Sequence, residues 1–299
     1  MRKRIYHFPV LQREILKYLE PKKNENFIDA TIGEGGHAIS ILRKTSPKGK
    51  VLGIDRDEEI LKVLKKRLGK KYKKRLIVVC DNFVNLEKIV KEKRFRKIKG
   101  ILFDLGMSSW HLEKSKRGFT FQKNEILDMR YDLKNPLTAK EILNKYSEKK
   151  IIEILREFGE EKFAKQIAKE IVKEREKNPI ETTFQLVEII KKSVPDWYKR
   201  RKIHPATKTF QALRIAVNKE LENLKEGLLS AIKILEKGGK IAVISFHSLE
   251  DRIAKNIFKQ KAKEGTLKII TKKPITPSKK EISNNPRSRS AKLRVVEKI

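Results

Sequence analysis

Two stretches near the start of the chain carry the residue types that bind nucleosides in α/β proteins. The first, Phe27–His37, is an apolar run that enters the glycine-rich turn Gly33-Glu-Gly-Gly-His. The second, Val51–Asp57, is an apolar run that ends in acids, and its Asp55 lies 22 residues after Gly33. In a doubly wound sheet, the glycines let backbone approach a ligand and the acid accepts hydrogen bonds from ribose hydroxyls. The pattern predicts a nucleoside cofactor at this turn.

Side chains able to do chemistry also follow the later predicted strands. Phe83 follows the third strand, Asp104–His111 (Asp-Leu-Gly-Met-Ser-Ser-Trp-His) the fourth, and Ser245–Ser248 (Ser-Phe-His-Ser) the fifth. Each cluster alone is ordinary turn chemistry. Because the carboxyl ends of parallel strands meet at one edge of a sheet, the clusters together predict a site along that edge.

Short apolar runs bounded by turn residues predict seven strands. They are Phe27–Ala30, Val51–Asp55, Leu76–Cys80, Gly100–Asp104, Lys240–Phe246, Leu267–Thr271 and Lys292–Glu297. Helical segments separate the first five, and this alternation is typical of a parallel α/β sheet.

The alternation stops between the fourth and fifth strands, where only helical periodicity is found. We therefore predict two domains, a discontinuous sheet domain of residues 1–112 and 206–299 and an inserted helical subdomain of residues 113–205. After the insert, residues 208–236 are predicted to form one long helix that ends at Gly238-Gly239.

Composition limits the class of protein. The 299 residues are 38% hydrophobic and 37% charged, and no apolar run approaches the roughly 20 residues that span a bilayer. After the basic residues 1–4, the stretch Ile5–Phe8 is too short for the core of a signal peptide, so we expect a cytoplasmic protein without membrane contact. The single cysteine, Cys80, excludes an internal disulfide and a cysteine metal cluster, and we expect a buried thiol.

The formal net charge of +35 points to a polyanionic partner, and nucleic acid is the main candidate. A Lys/Glu-rich, heat-adapted surface explains many charges but not such an excess of one sign. Two basic runs, Lys62–Arg75 and Lys91–Lys99, precede strands and are expected at the rim away from the site. Three others are expected nearer to it, namely Lys114–Arg117, Lys199–Lys202 and Lys272–Arg289.

The motifs identify a family. Over nearly its whole length the chain resembles the bacterial RsmH (MraW) methyltransferases, which methylate the N4 amine of a cytosine in small-subunit (16S) ribosomal RNA. The matching stretches are Asp29–His37, Ile54–Asp57, Asp104–Ser109, Arg117–Phe121, Leu127–Arg130, Gly159–Ala164, His204–Gln211, Ser245–Arg252 and Asn285–Ser290. The resemblance implies a Rossmann-like class I S-adenosylmethionine-dependent methyltransferase sheet of seven strands, the last antiparallel.

The resemblance also implies S-adenosylmethionine as the cofactor and assigns its contacts. The implied cofactor-binding residues are Gly35, Gly36 and His37 at the methionine end, Asp55 at the ribose, Phe83 at the adenine, and Asp104 and His111. Many members carry glutamine at the position of His111, and both side chains can form hydrogen bonds. No metal is implied, and the histidines His7, His204 and His247 lack metal-ligand spacing.

The substrate sets the chemistry, because the lone pair of a cytosine amine is delocalised into the ring. Acceptors must hold the amine hydrogens. DNA amino-methyltransferases place an Asp/Asn/Ser-Pro-Pro-aromatic segment after the fourth strand, and Asp104–Trp110 stands at that position here with the acid and the aromatic but without the prolines. We therefore expect Asp104 to be the catalytic residue. Ser108, Ser109 or the carbonyls of residues 105–107 are candidate substrate contacts, and Trp110 is either a stacking platform or a core residue. The insert is expected to select the substrate, with a scaffold or a homodimer surface as the alternatives.

Other functions stay open from the residues alone. An amino-methyltransferase acting on DNA or another RNA would show the same chemistry, whereas the resemblance favours small-subunit ribosomal RNA in a ribosomal particle. A nicotinamide-dependent oxidoreductase would need a third glycine that the turn at Gly33 lacks. A non-catalytic RNA-binding protein would leave the strand-end clusters without a role.

Overall fold

The computed structural model describes residues 9–69, 71–72 and 74–299. These residues form two compact units, each with its own core. The sheet unit contains the described residues up to Gly106 together with Leu221–Ile299, and the helical unit is Met107–Glu220. No helix in the described ranges is both long and apolar enough to cross a membrane.

The sheet unit contains one seven-stranded sheet with the order β3-β2-β1-β4-β5-β7-β6. Its strands are β1 (Asn26–Asp29), β2 (Val51–Asp55), β3 (Leu76–Cys80), β4 (Ile98–Asp104), β5 (Lys240–Ser245), β6 (Leu267–Ile269) and β7 (Lys292–Lys298). β1 to β5 pair in parallel, and β7 runs antiparallel to both β5 and β6. The predicted fold class is therefore confirmed.

The α-helices separate into two sets along the chain. They are α1 (Gln12–Leu19), α2 (Gly36–Lys44), α3 (Glu58–Leu68), α4 (Leu86–Glu92), α5 (Ser109–Glu113), α6 (Ala139–Lys145), α7 (Glu148–Glu157), α8 (Ala164–Arg175), α9 (Thr183–Ser193), α10 (Asp196–Lys199), α11 (Thr207–Asn218), α12 (Glu220–Ile234), α13 (Ser248–Lys263) and α14 (Lys279–Asn284). Those from α5 to α11 fall in the helical unit.

The central strands β1, β2, β4 and β5 are covered on both faces, which explains why they are mostly apolar. Successive residues of β4 alternate between two cores: Ile101 and Phe103 pack with α4, α12 and α13, whereas Leu102 packs with α1, α2 and α3. At the edge strand β3, Cys80 is exposed, so the predicted burial of its thiol is wrong. An edge strand lacks the second neighbour that would have covered this position.

The boundary between the units differs from the predicted 113–205. Lys219 has a positive φ of 49°, which divides the predicted long helix 208–236 into α11 and α12. Phe210 and Leu213 of α11 pack into the core of the helical unit, whereas Leu224 and Leu228 of α12 pack against the sheet. At the front, the helical unit already begins at Met107. The apolar faces of adjacent helices therefore turn to different cores.

Inside the helical unit, buried polar groups fix a segment that has little regular structure. Asn218 accepts a hydrogen bond from the backbone N–H of Tyr131 at 2.9 Å and donates one to the carbonyl of Met129 at 2.7 Å. Arg117, only 5% exposed, donates to the carbonyls of Arg130 and Tyr131. Arg117 is thus a structural cation and not part of an exposed basic run, contrary to the expectation for residues 114–117.

Candidate active site at the sheet edge

The site begins where the order of the sheet reverses. β1 lies between β2 and β4, so the connections after β1 and β4 leave in opposite directions and open a crevice at the carboxyl ends of these strands. Asp29 ends β1 and Asp104 ends β4. Thr31 links the two, because its Oγ1 accepts the backbone N–H of Asp104 at 2.7 Å and its own N–H donates to Asp29.

Two glycines of the turn after β1, Gly35 and Gly36, lie where neighbouring side chains leave no room for a Cβ. Gly35 caps α2 with a φ of 80°, and a Cβ there would lie 2.6 Å from Cδ1 of Leu64. A Cβ on Gly36 would lie 2.4 Å from Cγ of Pro9. Gly33 has a φ of 48° but ordinary space around it. The predicted close approach of ligand to backbone at Gly35 and Gly36 stays a prediction, whereas their packing roles are observed.

Asp55 ties this turn to the end of β2. Its Oδ2 accepts the backbone N–H of Gly33 at 2.9 Å, and its Oδ1 accepts that of Asp57 at 3.0 Å. A carboxylate offers about four acceptor positions, and ribose hydroxyls are donors of the kind that such a group accepts. Asp57 in turn caps α3 by accepting the N–H of Glu59. The 22-residue spacing thus reflects a direct hydrogen bond.

His37 and Asp104 come together in the crevice. Nε2 of His37 lies 3.5 Å from Oδ2 of Asp104, which is longer than an ordinary hydrogen bond. Both ring nitrogens of His37 and Oδ1 of Asp104 are buried, and none has a hydrogen-bond partner in the described part of the chain. A buried polar atom without a partner costs about 1–3 kcal/mol, so these atoms mark a place where a polar ligand would satisfy them.

Asp29 is a site residue that sequence reasoning did not assign. It is 1% exposed, and burial raises its pKa to about 7, with the negative charges of Asp104 and Asp55 adding to the effect and His37 opposing it. Its place at the end of β1, as the first residue of a family-matching stretch, was a usable signal. An acid that titrates near neutrality inside the crevice couples the charge of the site to pH.

Phe83 lies in a short 3₁₀ helix, Phe83–Asn85, after β3. Its ring meets that of Phe103 edge-on, with centroids 5.4 Å apart, and it fills the space left by Gly227 of α12. The side chain is half-buried, so its packing role is observed and its predicted contact with adenine remains a prediction.

The remaining predicted residues belong to the helical unit. The hydroxyl of Ser108 caps α5 by accepting the backbone N–H of His111, and Nδ1 of His111 lies 2.9 Å from the same hydroxyl. His111 is buried beside the ring of Tyr131, and the hydroxyl-bearing Ser109 is buried as well. Trp110 is half-buried with the guanidinium of Arg117 over its ring at 5.4 Å. Their predicted roles toward cofactor and substrate stay predictions.

Two of the three other histidines have structural surroundings. His247 caps α13, accepting the backbone N–H of Glu250, and His204 stacks on Phe121 with ring centroids 4.6 Å apart. His7 lies outside the described residues.

The residues of the sheet unit fit S-adenosylmethionine. Asp55 is a carboxylate at the end of β2, a group that accepts hydrogen bonds from hydroxyls, and the unpartnered atoms of His37 and Asp104 offer polar contacts to the methionine end. Phe83 offers an apolar surface of the kind adenine packs on. A sulfonium cofactor also suits a crevice bordered by the carboxylates of Asp29, Asp55 and Asp104.

Comparison with known proteins agrees with the motifs. Relatives named ribosomal RNA small subunit methyltransferase H are 49% identical over 295 residues in Sulfurihydrogenibium sp. (99% of this chain, 100% of the relative) and 46% identical over 295 residues in Persephonella marina (99% and 100%). One from Thermotoga neapolitana is 46% identical over 297 residues (98% and 96%). The model of the MraW methylase family matches residues 4–299. The chain therefore belongs to the MraW methylase family.

Proposed function

We propose that this protein transfers a methyl group from S-adenosylmethionine to the exocyclic N4 amine of a cytosine in small-subunit ribosomal RNA. The observation that carries the proposal is the crevice of His37 and Asp104, with its unpartnered buried atoms, in a chain nearly half identical to proteins named as methyltransferases of this RNA.

The amine of cytosine needs help because its lone pair is shared with the ring. Oδ1 of Asp104, at the end of β4, would accept one amine hydrogen and turn the lone pair toward the methyl donor. The same carboxylate would stabilise the cation formed on transfer and take up the released proton. S-adenosylmethionine supplies an electrophilic methyl group, so the protein's task is mainly to position the reactants.

The charge of the chain favours RNA over a small-molecule acceptor. With a net charge of +35, the protein can neutralise RNA phosphates with its lysines and arginines, and this releases counterions from the RNA. The same charge speeds the capture of a polyanion. We place the substrate in a ribosomal particle, because a large, folded RNA presents many phosphates to an extended basic surface.

We assign substrate recognition to the helical unit. Trp197 of α10 is 58% exposed, an unusual position for tryptophan, and its ring lies edge-on to those of Phe163 and Tyr198. The basic run Lys199–Lys202 follows it, with the guanidinium of Arg201 over the Tyr198 ring at 5.0 Å. A rigid exposed aromatic beside cations is the combination that stacks unpaired bases and holds their backbone.

One assay separates the candidate substrates. Purified protein and methyl-labelled cofactor are incubated with small ribosomal subunits, with naked ribosomal RNA and with DNA, and label is counted in each. The proposal expects label in ribosomal RNA with a preference for the assembled subunit. Label in DNA alone would favour the amino-methyltransferase alternative, and no label with intact RNA binding would favour a non-catalytic binder. Light scattering of the same sample tests the homodimer alternative for the helical unit.

A further inference from the structure

A second site lies at the same edge of the sheet, beyond the residues assigned above. Between the end of β5, the start of α13 and the segment before β7 is a cavity of about 280 Å³. The residues that line it are Phe246, His247, Ser248, Thr276, Arg289, Ser290, Ala291 and Lys292. They combine two cations with three hydroxyl groups, and this composition is typical of sites for phosphate.

The cations of this cavity carry uncompensated charge. Arg289 is exposed and has no acidic partner in the described ranges of the chain. Lys292 lies 3.7 Å from Oδ2 of Asp251, but that carboxylate already accepts two hydrogen bonds from Arg294, at 2.6 and 3.1 Å. One acid is thus shared by two cations, and Arg289 remains beside them without one.

Neighbouring groups do not cancel this charge. The carboxylate of Glu250 is 3% exposed, and its Oε2 accepts the backbone N–H groups of Phe246 and His247. Ser248 opens the 16-residue helix α13, whose N-terminus carries partial positive charge. The exposed hydroxyls of Thr276 and Ser290 add donors around the cavity.

The sheet places this cavity close to the candidate catalytic acid. Asp104 is paired with Ile244 of β5, and Ile244 is paired with Leu293 of β7, so Lys292 lies one residue beyond the row that contains Asp104. Two strand spacings amount to about 10 Å. Phe246, which lines the cavity, also approaches Gly106, since a Cβ there would be 3.3 Å from its ring. A span of this order separates the edge of a base from its own backbone phosphate.

We infer that this cavity, with Arg289 and Lys292, binds a backbone phosphate of the RNA next to the base presented at Asp104. The inference rests on the proposed function for the identity of the RNA. Holding this phosphate fixes the nucleotide relative to the crevice, so the residues are positioning residues and not catalytic ones. Phosphate contacts of this kind orient a nucleic acid without reading its sequence.

The test compares Arg289→Gln/Lys292→Gln with a charge-matched control, Lys91→Gln/Arg96→Gln, whose exposed cations precede β4 at the other end of the strand. Binding of the full chain to small ribosomal subunits is measured between 50 and 200 mM salt. The cavity variant should bind about tenfold more weakly or worse, and its slope of log affinity against log salt should fall by about 1 per lost phosphate contact. The control should shift the affinity by less than about threefold.

Two further measurements keep the result interpretable. Affinity for S-adenosylmethionine should be unchanged in both variants. Arg289→Gln alone removes an exposed side chain that has no acidic partner among the described residues, and it should already show part of the loss. If the cavity variant binds subunits as tightly as the control and with the same salt slope, the inference is wrong. If the proposed function itself is wrong, the wild-type protein will transfer no methyl group to ribosomal RNA, and this result is distinct from the binding measurements on the variants.

Discussion

Nε2 of His37 and Oδ2 of Asp104 face each other at 3.5 Å, across the point where the sheet order reverses. The distance is too long for a strong hydrogen bond, and both side chains keep buried polar atoms without partners in the described structure. Burying such atoms without partners costs free energy, and a polar ligand in the crevice would relieve that cost. The pair therefore marks the place where cofactor and acceptor amine would meet.

Asp104→Asn should abolish most of the activity. The amide keeps the shape of the side chain but is a far weaker proton acceptor, so methyl transfer to small ribosomal subunits should fall by about 100-fold or more. Glu87→Gln, which neutralises an exposed carboxylate of the same unit paired with Lys233, is the control and should keep full activity. Single-turnover kinetics measure the chemical step. Wild-type rates in Asp104→Asn would remove its catalytic role.

Asp29 should make stability depend on pH. Its pKa rises from an ordinary 3.8 to about 7 on folding, so the folded state holds the proton more tightly than the unfolded one. The resulting stabilisation is complete below about pH 3.8 and is lost as pH rises to about 7. In that window the free energy of unfolding of wild type should fall, relative to Asp29→Asn, by at most about 1.4 kcal/mol per pH unit. Urea titrations at half-unit intervals measure this, and parallel curves for the two proteins would contradict it.

Gly35→Ala should destabilise the protein through packing as well as backbone conformation. The left-handed φ costs about 1–2 kcal/mol for any side chain, and the new Cβ would meet the fully buried Leu64 at 2.6 Å. Gly238→Ala is the matched control, since its φ is 73° and no atom of the described residues would lie within 4 Å of its Cβ. The difference between the two losses, expected at about 1–3 kcal/mol, isolates the packing contribution. Equal losses in urea titrations would refute a packing role for Gly35.

Trp197→Ala should weaken RNA binding without affecting the cofactor. Loss of one stacked base costs about 1–3 kcal/mol, so affinity for small ribosomal subunits should fall by roughly tenfold. Phe184→Ala provides the control, because Phe184 is a 46% exposed aromatic of the same unit with no basic run beside it. Filter binding measures both, and calorimetry with S-adenosylmethionine should give wild-type values. Equal affinities for the two variants would show that Trp197 is not a platform.

Much of the sheet could be predicted because local signals determine it. The predicted bounds of β2 and β3 coincide with the observed ones, since each is a continuous apolar run bounded by polar and turn residues. The 22-residue spacing of Gly33 and Asp55 was also informative, because it is the length of one strand–helix–strand unit. In the structure the two residues are joined by a hydrogen bond from the N–H of Gly33 to the carboxylate of Asp55.

Other features depend on tertiary contacts that no local pattern reports. The division of residues 208–236 into two helices depends on which core each apolar face joins, and a left-handed Lys219 leaves no composition signal. Arg117 belongs to a basic run in the sequence, yet it is buried because its guanidinium donates hydrogen bonds to the carbonyls of Arg130 and Tyr131. The exposure of Cys80 follows from the edge position of β3, which depends on strand order.

The most direct test of the central claim is mass spectrometry of ribosomal RNA after small subunits lacking the modification are incubated with the protein and S-adenosylmethionine. We expect one cytosine to gain a single methyl group, located on N4 by its fragmentation, and we expect Asp104→Asn to leave that nucleotide unmodified. Methylation of carbon or of a ribose hydroxyl, or RNA left unchanged by an active, cofactor-binding preparation, would contradict the account.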